Sequence, residues 1–90
     1  MKEQPTNELT IAVQPNPAFR EAFVTVSGLR QAAVLAINDL GGRIVYSTTI
    51  EPSGMQTVTK QLDVSSFAKG LYLVKLQSED KVKFTRFIVQ

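Results

Sequence analysis

Apolar and polar positions along this chain alternate with a period of two. Leu9, Ile11 and Val13 alternate with Thr10, Ala12 and Gln14, as in a strand with one face buried and the other in water. Val24 and Val26 sit between Phe23, Thr25 and Ser27 and predict a second strand. Ala32 to Ile37 is apolar throughout and predicts a third, more fully buried strand. Ile44 to Ile50, rich in Val, Tyr, Thr and Ile, predicts a fourth. In Gln56 to Leu62, Val58, Lys60 and Leu62 alternate with Thr57, Thr59 and Gln61. Leu71 to Gln77 puts Tyr72, Val74 and Leu76 on one face, and Val82 to Val89 supplies the last strand. No window carries a helical period.

Turn residues separate these segments: Pro15-Asn16-Pro17, Ser27-Gly28, Gly41-Gly42, Pro52-Ser53-Gly54, Lys69-Gly70 and Ser78-Glu79-Asp80. Short strands about ten residues apart, divided by Gly and Pro, indicate a sandwich or a barrel. Seven in a chain of 90 residues predict an all-β, seven-stranded, immunoglobulin-like antiparallel sandwich with Greek-key connections. One small domain is expected, spanning 9–90. Residues 1–8 are polar, have no apolar leader segment, and are expected to be a linker or an added end outside the fold.

Three turns carry more information than the rest. Pro15 and Pro17 lack N–H groups, and Asn16 precedes a proline. The first strand therefore cannot continue as a paired strand and must turn a stiff corner. Asn38-Asp39-Leu40-Gly41-Gly42-Arg43 predicts a hairpin with a longer loop, in which Asp39 bonds its own backbone. In Leu62-Asp63-Val64-Ser65-Ser66-Phe67-Ala68-Lys69-Gly70-Leu71-Tyr72, Leu62, Val64 and Phe67 are expected to enter the core. Gly70 then permits a bend, and Tyr72 is placed as a tyrosine corner, its hydroxyl bonding the upstream backbone.

The last strand has conflicting phases. Val82, Phe84 and Ile88 share one phase, and Phe87 and Val89 take the other, while Arg86 falls among the first set. A bulge near Thr85 or burial on both faces would reconcile them. So would a face, or a terminal edge, that awaits a partner.

Composition narrows the chemistry. There is no Cys and no His, which removes thiol nucleophiles, Ser-His-Asp relays and the usual zinc ligand sets. No catalytic residue, cofactor or metal is expected. A net charge of +2 is too small to point to nucleic acid, and no apolar run approaches the ~18 residues of a membrane span. With no Trp, the candidates for a sugar-binding platform are Tyr46, Phe19, Phe23 and Phe87, with Phe23 best placed by alternation. A small carbohydrate-binding or adhesive domain is thus the alternative reading.

The order of the motifs points further. A first strand leads into Pro15-Asn16-Pro17-Ala18; then come Asp39-Leu40-Gly41-Gly42-Arg43-Ile44-Val45, Gly70-Leu71-Tyr72-Leu73-Val74-Lys75-Leu76 and Lys83-Phe84-Thr85-Arg86-Phe87-Ile88-Val89. Over about residues 9–90 this resembles the C-terminal sorting domain of proteins exported by the type IX secretion system of Bacteroidetes. The resemblance implies a non-catalytic address for a larger cargo. Such a domain travels through the periplasm to the outer membrane surface or the medium. Its partners would be the secretion machinery and a sortase-like protease that clips it off, here within Lys2 to Glu8. It implies family-motif roles for Pro15, Asn16, Pro17, Asp39, Gly41, Gly42, Gly70 and Tyr72. Recognition would fall on Leu71, Leu73, Lys75, Lys83, Arg86, Phe87 and Val89. Many members end in lysine; this chain ends Val89-Gln90, with Lys81, Lys83 and Arg86 the nearest basic groups.

Overall fold

A computed structural model describes residues 8–52, 54 and 57–90. Gln56, the expected start of the fifth strand, and residues 2–7 of the expected cleavage segment lie outside them. The strands are β1 (Thr10–Gln14), β2 (Glu21–Ser27), β3 (Ala33–Asn38), β4 (Ile44–Ile50), β5 (Thr57–Asp63), β6 (Gly70–Ser78) and β7 (Lys81–Val89). They form two antiparallel sheets, ordered β1-β2-β5 and β4-β3-β6-β7. The chain changes sheet between β2 and β3, β4 and β5, and β5 and β6, which gives the Greek-key connection and the expected immunoglobulin-like sandwich.

The core is the sum of the inward rows. Val13, Val24, Val26 and Leu62 from one sheet meet Leu35, Ile37, Tyr72, Val74, Leu76, Phe87 and Val89 from the other. β-Branched and aromatic residues fill these rows because they pack well on a pleated surface. Among the described residues the buried set is apolar and aromatic, so the interior holds mainly by apolar packing.

Two expectations are corrected. The third strand was expected to be more fully buried than the others, yet only Ala33, Leu35 and Ile37 are inside; Val34, between them, is half exposed. Its sheet is covered on one side only, so the run is apolar on both faces without being buried on both. The expected bulge near Thr85 is also absent. The β6–β7 register runs without a break from Gly70↔Val89 to Ser78↔Lys81. The irregularity lies elsewhere, between Ile37 and Asn38 on the β3–β4 pair.

Candidate partner-recognition face

The terminal hairpin β6–β7 is anchored first by the Tyr72 corner. The Tyr72 hydroxyl donates to the Ala68 carbonyl at 2.5 Å. Its ring lies 5.2 Å from that of Phe67 and 5.7 Å from that of Phe87, centroid to centroid, within the range of favourable aromatic pairs. The Val64 N–H donates to the Arg20 carbonyl at 2.9 Å and so ties the incoming loop to the chain ahead of β2. Gly70 opens β6 at φ +146°, a conformation that side chains resist.

The Pro15–Ala18 corner does more than turn the chain. β7 is the last strand of its sheet, so half of its backbone groups point away from β6. The Asn16 side chain takes up two of them. Its Oδ1 accepts from the Ile88 N–H at 3.0 Å, and its Nδ2 donates to the Arg86 carbonyl at 3.4 Å. Ala18 continues the pairing: its N–H donates to the Ile88 carbonyl at 2.7 Å, and its carbonyl accepts from the Gln90 N–H at 2.8 Å. One amide side chain and one residue of backbone thus close the end of the edge as a short parallel strand would. Pro15 and Pro17, with no N–H to offer, hold the flanks of this clasp.

Asn16→Ala should therefore cost about 1 kcal/mol, the net worth of such a bond at an exposed site. Amide exchange at Ile88 and Gln90 should accelerate. Unchanged exchange at Ile88 would show that the clasp does not hold the strand.

Asp39 organises the β3–β4 loop. Its Oδ1 accepts from the N–H groups of Gly41 and Arg43, each at 3.0 Å, and its Oδ2 pairs with the Arg43 guanidinium at 3.2 Å. The Arg43 N–H, the largest influence, and the guanidinium hold the Asp39 carboxyl below its ordinary range. Gly42, at φ +87°, takes the left-handed position the loop requires. Asp63 is likewise committed, to the hydroxyl and N–H of Ser65 at 2.6 and 3.0 Å, and its carboxyl is also lowered. A concavity of about 650 Å³, open to solvent, is lined in part by Phe19, Glu21, Gln61 and Asp63. Two of its polar side chains serve one another: Gln61 donates to Glu21 at 2.8 Å.

Once β7 is in register, its phases separate cleanly. Phe87 and Val89 point inward, at 0% and 3% exposure. Their side chains are core, which removes both from the expected recognition set and Phe87 from the expected sugar platform. Lys83 leans to the same side and pairs with Glu8 at 3.0 Å. The other phase, Val82, Phe84, Arg86 and Ile88, faces outward. Opposite it on β6 lie Leu71 beside Ile88, Leu73 beside Arg86, Lys75 beside Phe84 and Gln77 beside Val82. Val34 of β3 stands beside Gln77.

The outer side of the four-stranded sheet is therefore an apolar face carrying Lys75 and Arg86. Phe84 is 58% exposed, Ile88 44% and Leu73 43%. Leu71, Leu73, Lys75 and Arg86 were expected here. Val82, Phe84, Ile88 and Val34 were not named as site residues, although the conflicting phases of the last strand already signalled the first three.

A sandwich with an exposed apolar and basic sheet face, and with Asp39 and Asp63 committed to turns, is an interaction module in build. The chain belongs to the secretion system C-terminal sorting domain family, whose profile matches residues 12–90. It is thus a C-terminal sorting signal of type IX secretion, from a family that is generally non-enzymatic. Its role implies contact with the secretion machinery and passage through the periplasm to the surface or the medium. A solved structure of PorZ, an essential bacterial surface component of the type-IX secretion system of human oral-microbiomic Porphyromonas gingivalis, is similar over 89% of this chain, at 28% identity and a TM-score of 0.60. The match takes up 11% of the PorZ chain, so this chain corresponds to a small part of that protein. No curated protein sequence matches the chain.

Proposed function

We propose that this domain acts as a passive address, engaged through the outer face of β6 and β7 and then removed by a sortase-like protease that cuts within Lys2 to Glu8. The observation that carries this reading is the set of exposed apolar residues on strands drawn from the family's own terminal motifs: Leu73, Phe84 and Ile88. A soluble domain rarely leaves a contiguous apolar patch uncovered unless something binds there. The domain catalyses nothing itself. Asp39 and Asp63 are bonded to their own loops, which suits structure better than proton transfer. Its route runs through the periplasm to the outer membrane surface.

The test is a fusion of residues 1–90 to the C-terminus of a periplasmic reporter in a type IX-competent bacterium. The reporter should reach the surface or the medium, and a fusion lacking residues 82–90 should stay in the periplasm. Retention of the intact fusion in the periplasm would overturn the reading.

A further inference from the structure

The outer face of the four-stranded sheet has a composition that selects among occupants. Its apolar members are Val34, Leu71, Leu73, Val82, Phe84 and Ile88. Its charges are Lys75 and Arg86, and no Asp or Glu stands on the outward positions of β3, β4, β6 or β7. The ion pairs among the described residues are Arg43–Asp39 and Lys83–Glu8, so neither cation of the face has a carboxylate partner among the described residues. The register interleaves them with the apolar groups. Lys75 stands opposite Phe84, and Arg86 opposite Leu73, which leaves the two cations diagonal to one another, ~7–8 Å apart at the backbone.

Resting on the sorting reading above, we propose that this face docks a protein segment that is apolar and carries carboxylates, its acids meeting Lys75 and Arg86 and its apolar groups covering Leu73, Phe84 and Ile88. Charge complementarity decides against a second copy of the chain. Two such faces brought together by a twofold axis would set four cations into one apolar interface with no acid to meet them, and like charges juxtaposed there are strongly unfavourable. The alternation of cation and apolar group across neighbouring strands asks for the same alternation in the partner. Complementary charge of this kind sets which partner is accepted and how fast it arrives, and it is weakened by salt.

The reporter fusion supplies the test. Lys75→Glu with Arg86→Glu should lower the secreted fraction about tenfold or more, and Lys75→Arg with Arg86→Lys should retain it. Leu73→Gln with Phe84→Gln should lower it similarly. Arg20→Glu and Phe23→Gln, an exposed cation and a part-exposed ring away from this face, should leave secretion unchanged. Thermal melts of the purified chains should show all the variants folded, because every substituted side chain is at least partly in solvent.

Secretion of the charge-reversed and Gln variants at the level of the unsubstituted fusion overturns the proposal while leaving the sorting role intact. Failure of the unsubstituted fusion itself overturns the sorting role instead. Equal loss from the Arg20 and Phe23 variants also overturns the docking proposal, since the loss would not be specific to this face. So would co-flotation of the purified chain with anionic phospholipid vesicles that is lost on charge reversal, because the face would then read a lipid surface. A dimer of the chain in sedimentation that the Leu73 and Phe84 changes abolish would overturn it in favour of a second copy.

Discussion

Phe87→Ala should destabilise the domain by about 3–5 kcal/mol, whereas Ile88→Ala, one residue along the same strand, should cost roughly 1 kcal/mol or less. Phe87 is at 0% exposure and its ring packs on that of Tyr72, but Ile88 is nearly half in solvent. Deleting the Phe87 ring removes its transfer free energy and leaves a cavity where the two sheets meet, and a close-packed interior collapses around such a void only partly. A domain of this size has about 5–15 kcal/mol of stability in total, so the Phe87 loss is a large fraction of it. Urea titrations of the two variants measure the difference. Equal costs would overturn the placing of Phe87 inside and Ile88 outside, and a larger cost at Ile88 would mean that the inward and outward phases of β7 are exchanged. In the cell both variants should lower secretion, by different routes. Ile88→Ala should act on recognition while the fold persists, and Phe87→Ala should act by removing the fold that presents the face.

Tyr72→Phe should cost about 1–3 kcal/mol although it removes a single oxygen. The ring contacts to Phe67 and Phe87 survive the change. What is lost is the hydrogen bond to the Ala68 carbonyl at the turn into β6. That carbonyl sits where the chain leaves one sheet for the other, and although Ala68 itself is exposed, the bond to it is part-buried, so its loss costs at least the net worth of one hydrogen bond. Tyr46→Phe is the matching control. Tyr46 packs against the edge of the core, and its substitution should shift the denaturation midpoint by much less. Equal shifts for the two tyrosines would sink the corner as a source of stability.

Much of this architecture was legible in the chain because it follows from local chemistry. Seven alternating segments give seven strands, since period-two burial has no other regular solution. The Tyr72 corner and the Asp39 loop were legible for a similar reason: each hydrogen bond closes within four residues of sequence. The order of the motifs carried the family. The role of Asn16 was not legible. It was placed in a stiff corner, but its partners Arg86 and Ile88 lie 70 and 72 residues away, and no local pattern names them.

The terminal strand draws the line most clearly. Its own residues established that two apolar phases compete: Val82, Phe84 and Ile88 against Phe87 and Val89. Which phase is inside depends on register, because a slip of one residue exchanges every side chain between faces. That register is set by pairing with β6 and by the clasp from Asn16 and Ala18, contacts that exist only after distant segments meet. By itself the sequence determined an all-β sandwich, its turns and its membership of a sorting family. Tertiary structure alone decided that Phe87 and Val89 are core and that Phe84, Arg86 and Ile88 face outward. Burial is a property of what lies opposite a residue, and for the last strand what lies opposite is the rest of the domain.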